Sequence, residues 1–448
     1  MNSISIKAKN FPENFKWGVT ISAYQNEGKW NTYGKGPSIW DTFTNDIPFK
    51  NGNGNVATNF YHHYKEDIQR AKDLNLGVFR FSISWPRIFP KGIGHINPKG
   101  VQFYHEVINT CIELDIEPWV TLYHWDLPQV LENEGGWTNR NILDWFSEYA
   151  EFCSKEYGNK VKKWVVLNEP MSFIGLGYFM GMHAPGKKGI LSFLPAAHHT
   201  TLCQAIGGRI IKKNVTDAYI GTTFSCSVVK PVNRLVKHKK AAQRIDALLN
   251  RFFIEPALGL GYPTDVIPGL IQIEKYFKEG DKELMQFDFD FIGVQYYFKI
   301  VAKHSLLPPL LFATEIPAVK RNVKVNNMGM EIYPKGLLKM LEKFSAYENV
   351  KDIYITESGV CFDDTLKDEK VKDKNRIKYF KKTFYYTLKA IENNIKVKGY
   401  FAWTLVDNFE WAEGISARFG LYYTDFVTQK RYIKKSGIWL QKFLGKKN

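Results

Sequence analysis

Cysteine is scarce in this chain and never clustered. Cys111, Cys153, Cys203, Cys226 and Cys361 are five among 448 residues, an odd number with no CxxC spacing. That excludes a disulfide framework and a thiolate metal site, and leaves free, buried thiols as the expectation. Histidine is no better arranged for metal, because His62-His63 and His198-His199 are adjacent pairs whose side chains point different ways on a helix or strand. No metal or cofactor is therefore expected. No stretch reaches eighteen consecutive apolar residues, so no transmembrane helix is expected. The first ten residues, Met1 to Asn10, lack the apolar centre of a secretion signal, which points to the cytoplasm and leaves the Asn214-Val215-Thr216 glycosylation pattern without meaning.

Acidic residues are outnumbered, 45 Asp and Glu against 61 Lys and Arg, for a formal net charge of +16. Such a balance raises the question of nucleic acid, but the lysines are dispersed through amphipathic segments. In the densest stretch, Lys367 to Lys382, Lys alternates with Asp and Glu before Arg376-Ile377-Lys378-Tyr379-Phe380-Lys381-Lys382, which reads as the wet face of a helix. No specific nucleic-acid partner is expected, only weak adhesion to acidic surfaces.

What is present is bulk: 44% hydrophobic and 15% aromatic residues are enough to bury a large core, and no linker interrupts residues 10 to 440. Apolar, β-rich runs alternate with helical patterns. The runs are Phe15–Thr20, Gly77–Trp85, Pro118–Asp126, Trp164–Pro170, Ala218–Phe224, Phe291–Tyr297, Ile353–Gly359 and Val397–Leu405. Helix-like stretches such as Tyr64–Leu74, Val101–Leu114 and Arg376–Ile391 lie between them. Eight β-α units are the count for a closed (β/α)8 TIM barrel of the α/β class, one domain over residues 1–448 with elaborated loops at the C-terminal face. An open, doubly wound sheet is the alternative, and the first turn lacks the glycine-rich phosphate fingerprint it would carry.

Two of these runs end in a glutamate: Asn168-Glu169-Pro170 and Thr356-Glu357-Ser358. A carboxylate placed where a buried strand stops costs desolvation unless it reaches an open site. In a closed barrel the ends of strands four and seven face each other across one pocket, so the pair reads as one acid and one nucleophile, and a separation of about 5 to 5.5 Å would mark a retaining glycosidase. The alternative for either glutamate taken singly is a paired, structural ion. Pro170 is expected to hold Glu169 in an extended backbone. Trp30, Trp125, Tyr297, Trp403 and Trp411 fall on the same rim, where indole faces match the C–H faces of a pyranose, and Gln25, His124, Asn168 and Glu410 offer hydrogen bonds to hydroxyls.

Over nearly its whole length the chain resembles glycoside hydrolase family 1, the β-glucosidase family. The resemblance rests on Ala23-Tyr24-Gln25, the stretch from Arg80 to Pro90, His124-Trp125-Asp126-Leu127-Pro128-Gln129, Asn168-Glu169-Pro170, His183-Ala184-Pro185-Gly186, Ile355-Thr356-Glu357-Ser358-Gly359 and the stretch from Trp403 to Trp411, in the family's order. It implies Glu169 as general acid/base and Glu357 as nucleophile, with Arg80 and Tyr297 beside the nucleophile. It also implies Gln25, His124, Asn168, Glu410 and Trp411 on the non-reducing sugar, Trp403 as its stacking platform, and Trp125 and Phe419 in the substrate-binding set. Arg80 and Tyr297 would keep Glu357 ionised with a lowered pKa, and burial near a second carboxylate would raise that of Glu169. A cis peptide bond at Trp403-Thr404 is implied as well.

The expected activity is hydrolysis of terminal β-D-glucosyl residues of a small glycoside or oligosaccharide through a glycosyl-enzyme ester. β-Galactosidase or β-fucosidase action, transglycosylation and a non-catalytic glycoside-binding barrel are the alternatives. Three residues depart from the family pattern: Gln295 where Asn is usual, Met330 where a tryptophan commonly lines the leaving-group subsite, and Ser358 in place of Asn. The resemblance also excludes two variants. Phospho-sugar members replace the Glu410 carboxylate, and thioglucosidases lack the acid that Glu169 supplies here.

Overall fold

The computed structural model describes residues 6–45, 51–307 and 310–445. Runs of Val, Ile, Trp and Tyr form eight parallel strands: β1 (Lys16–Thr20), β2 (Val78–Ser82), β3 (Glu117–Tyr123), β4 (Lys163–Asn168), β5 (Tyr219–Pro231), β6 (Phe291–His304), β7 (Asp352–Ser358) and β8 (Val397–Trp403). Their near-continuous apolar character follows from burial on both faces, one against the barrel interior and one against the surrounding helices. Each strand pairs with the next, and β8 returns to β1 with Lys16 opposite Gly399 and Thr20 opposite Trp403, so the sheet closes. Helices Phe60–Asp73, Pro98–Glu113, Ile142–Tyr157, Ile190–Asn214, Val236–Asn250, Lys335–Ser345 and Lys374–Glu392 lie between strands as the alternating pattern requires. The lysine-rich stretch is helical only from Lys374, and Lys367 to Asp373 precede the helix, with Lys367 and Lys370 hydrogen-bonded in a turn.

The lower half of the barrel is filled by Val78, Trp119, Val165, Phe291, Tyr354 and Phe401. The Trp119 ring lies 5.2 Å from Phe291, 4.9 Å from Tyr354 and 5.0 Å from Phe401. Such bulk fits because small residues face it: a Cβ at Gly221 would stand 2.4 Å from the Phe291 ring, and one at Gly18 would stand 2.7 Å from Phe401. This plug makes the floor on which the polar residues of the strand ends rest. β5 and β6 run beyond the barrel and stay paired out to Pro231 and Ala302, where a short antiparallel strand, Ala313–Glu315, joins the outer part of β6.

Candidate active site

Residues separated by up to several hundred positions meet at the C-terminal ends of the strands. Arg80 comes from β2, Asn168 and Glu169 from the end of β4, Gln295 and Tyr297 from β6, Glu357 from β7 and Trp403 from β8. Glu357 is the most heavily bonded. Its Oε1 accepts from Arg80 Nη1 at 2.7 Å and Gln295 Nε2 at 2.8 Å, and its Oε2 accepts from the Tyr297 hydroxyl at 2.8 Å. Arg80 is fixed in turn by Thr121 Oγ1 at 3.1 Å and Asn168 Oδ1 at 2.5 Å.

Glu169 has a different environment. It is buried, its Oε1 has no hydrogen-bond partner, and its pKa is pushed up to about 8 by burial first and by the Glu357 charge second, with Ser172 and Ser225 opposing the shift. The expectation of a lowered Glu357 pKa is not met, because burial raises it against the pull of Arg80 and Tyr297. Glu357 has three donors to stabilise its charge and Glu169 has none of comparable strength, which favours the shared negative charge on Glu357. The expected extended backbone at Glu169 is not met either. Its φ is +50°, because its N–H stays bonded to Thr223 O at 3.0 Å while the chain turns directly into the short helix Pro170–Ile174. Trp125 and Trp411 also have positive φ, so three non-glycine residues of this one region occupy the sparsely populated left-handed conformation that gathers at functional sites.

Asn168 joins the two halves of the site. Its Oδ1 accepts from Arg80, from Thr223 Oγ1 at 3.0 Å and from Gln295 Nε2 at 2.8 Å, so its amide nitrogen donates to His124 Nε2 at 3.0 Å. That places the proton of His124 on Nδ1, which is buried and unpartnered and free to donate. Burial and nearby Arg80 hold His124 neutral, well below the usual histidine range. Glu410 Oε2 accepts from Gln25 Nε2 at 3.2 Å and Trp403 Nε1 at 3.4 Å, and burial with the charge of Glu357 pushes its pKa up to about 8. Trp125 stacks on Trp411 at 4.4 Å and donates its indole N–H to Asn168 O at 2.9 Å. Phe419 stands edge-on to Tyr297 at 6.0 Å and packs with Trp403, Cys361 and Met328. The Trp403–Thr404 peptide bond is cis, as the resemblance implied.

Trp30 does not join this cluster and instead lines a small cavity with Lys35, Asp41 and Arg87. Ser358 is absorbed by the scaffold, its hydroxyl 3.2 Å from Tyr296 O and 3.0 Å from the Tyr379 hydroxyl. His198 and His199 are bound to Asp281 and to Trp137 O respectively, and no cluster of His, Cys, Asp and Glu suited to a metal occurs among the described residues. Residue reasoning missed Thr121, Ser172, Thr223 and Ser225. Thr223 had a signal, its place near the end of a strand-like run. Beneath the loop that follows β8, buried Lys434 pairs with Asp364 at 2.5 Å and Asp407 at 2.6 Å, and Asp407 also accepts from Gly420 N at 2.8 Å.

A barrel whose mouth holds one carboxyl poised to keep its proton, a second clamped by a cation and a phenol, and a wall of indoles and amides is the site of an enzyme acting on carbohydrate. Residues 7–448 match the glycosyl hydrolase family 1 model. β-Glucosidase A of Thermotoga maritima is 39% identical over 438 residues, covering 97% of each chain, and β-glucosidase 42 of Arabidopsis thaliana is 38% identical over 462 residues, covering 97% of this chain and 94% of that one. The solved structure of the family 1 β-glucosidase from Thermotoga maritima superposes with a TM-score of 0.92 over 97% of this chain and 98% of that one, at 39% identity. The same enzyme has been solved with deoxynojirimycin, at a TM-score of 0.91 over 98% and 99% of the two chains, again at 39% identity. The chain belongs to glycosyl hydrolase family 1 and is a glycoside hydrolase. Among the described residues no helix is long and apolar enough to cross a membrane.

Proposed function

We propose that this protein is a retaining β-glucosidase, one catalytic barrel that removes terminal β-D-glucosyl residues from small glycosides without cofactor or metal. The observation that carries the reading is the contrast between the two glutamates, one clamped by Arg80, Gln295 and Tyr297, the other buried with an unpartnered oxygen. In the first step Glu169 gives its proton to the glycosidic oxygen while Glu357 attacks the anomeric carbon, breaking the C–O bond and forming an ester. Formation of the ester removes the charge on Glu357, the pKa of Glu169 falls, and Glu169 takes a proton from the water that releases the sugar. Gln25, His124, Asn168 and Glu410 bind hydroxyls, His124 through its free Nδ1–H. Trp403 carries the ring face, with Trp125, Trp411 and Phe419 around it. Glucose is favoured over galactose or fucose by the names of the relatives. Five unpaired, buried cysteines support a reducing, cytoplasmic setting.

The test is peptide mass spectrometry after incubation with an activated 2-deoxy-2-fluoro-β-glucoside, whose ester breaks down slowly. An adduct on Glu357 is expected. An adduct on another residue, or none with either the glucose or the galactose analogue, refutes the proposal.

A further inference from the structure

The ribbon that β5 and β6 project beyond the barrel has no part in the chemistry above, and cations and exposed apolar side chains gather on and beside it. Residues 218–245 contain six Lys and Arg and no Asp or Glu, and residues 291–330 contain five Lys and Arg against Glu315 alone. Lys299 and Arg321 are neutralised by Glu331. Lys230, Arg234, Lys237, Lys239, Lys240 and Lys303 are exposed and form no ion pair among the described residues.

Between these cations stand Val232, Leu235, Val236, Leu306, Leu307 and Phe312, all exposed, with Leu306 at 75% and Leu307 at 71%. Single exposed apolar residues are ordinary, but six gathered at the end of the ribbon and the start of the adjoining helix Val236–Asn250 mark a surface that meets something. The segments form one face. Val232 N donates to Ala302 O at 2.9 Å, His304 N to His238 Nδ1 at 2.9 Å, and Arg244 Nη1 to Leu311 O at 3.1 Å. Apolar side chains at a projecting edge, beside lysines of the adjoining helix and with almost no acid, complement a bilayer, where the apolar groups enter the interface and the cations meet anionic headgroups. A nucleic acid would use the lysines but leave the leucines wet.

We propose that this ribbon docks on an anionic lipid surface, with Leu306 and Leu307 entering the headgroup layer and Lys237, Lys239 and Lys240 against its charge. The ribbon continues into the pocket, because Tyr297 lies on β6, and Met328, in the loop that returns from the ribbon, packs against the same cluster of Cys361, Trp403, Ala417 and Phe419 as Tyr297 does. Docking therefore brings the sugar pocket close to the lipid surface.

The experiment is flotation of the purified full chain, at physiological ionic strength, with vesicles of phosphatidylcholine alone and of phosphatidylcholine mixed with phosphatidylglycerol. Binding to the mixed vesicles only is expected. The double variant Leu306→Asp/Leu307→Asp and the triple variant Lys237→Glu/Lys239→Glu/Lys240→Glu are each expected to lose more than about tenfold in binding, with unchanged thermal melting and unchanged turnover of a small glycoside. Absence of wild-type flotation with the mixed vesicles overturns the proposal. So does a leucine variant that floats as wild type, which would reduce the effect to adhesion to any polyanion. Self-association that the leucine variant abolishes, without flotation, would assign the face to a second copy of the chain and overturn it equally.

Discussion

Replacing Glu357 with Gln tests whether the two carboxyls communicate through charge. Glu169 is pushed up to about 8 by burial and by the negative charge of Glu357. At the separation of about 5.5 Å that a retaining pair requires, two unit charges interact by about 3 kcal/mol at an effective dielectric of about 20, equivalent to about 2 pK units. Glu357→Gln removes that charge and leaves the burial, so Glu169 is expected to fall to about 6 and to stay above an ordinary carboxylate. The assay is ¹³C NMR titration of protein labelled at the glutamate carboxyl carbon, with the Glu169 signal assigned by its loss in Glu169→Gln. Kinetics supply the complementary sign. Proton donation requires protonated Glu169, so the alkaline limb of wild-type kcat/KM falls as pH rises through about 8, while the need for ionised Glu357 sets the acid limb. Glu410 is also pushed up to about 8, which is why the direct titration and not the kinetic limb decides the point. A Glu169 that still titrates near 8 in Glu357→Gln refutes the reasoning, and with it the electrostatic account of how one residue serves as acid and then as base.

The Glu410 carboxyl has a folded-state pKa above its unfolded one, so its contribution to stability is present at low pH and lost as pH rises toward about 8. Glu410→Gln is accordingly expected to raise the melting temperature above about pH 8 and leave it nearly unchanged at about pH 5, while weakening sugar binding; an equal gain at both pH values refutes the cause. The Gln295 amide nitrogen shares its two N–H groups among Glu357, Asn168 and Thr223, and Gln295→Ala is expected to lower kcat about 10- to 100-fold, with partial recovery in Gln295→Asn, by steady-state kinetics. Lys434→Met leaves Asp364 and Asp407 buried with one partner fewer, and a loss of about 3–5 kcal/mol is expected by chemical denaturation. Met330→Trp is expected to lower KM for aryl β-glucosides a few-fold relative to alkyl ones.

Element type and order were open to inspection because strand and helix have different apolar periods, and a strand buried on both faces reads as a continuous run. The positions of Glu169 and Glu357 at the ends of two such runs followed from that local pattern, and the long motifs around Arg80, His124 and Trp403 supplied roles that spacing could not. The reach of β5 and β6 was not foreseen. The expected runs stop at Phe224 and Tyr297, and the continuation of β5 to Pro231 and of β6 to His304 shows only once Pro231 is seen paired with Ala302.

The sequence was enough to say that eight runs make a closed barrel and that two carboxylates stand at its mouth, since both follow from residue order along the chain. Closure in three dimensions decided how those carboxylates behave. Burial raised the pKa of Glu357 where local reasoning expected it lowered, the bond from Glu169 N to Thr223 O imposed a left-handed backbone before Pro170, and the bonds to Asn168 set which nitrogen of His124 holds the proton. Each of these depends on groups from distant strands and on the exclusion of water between them, quantities that no stretch of sequence contains.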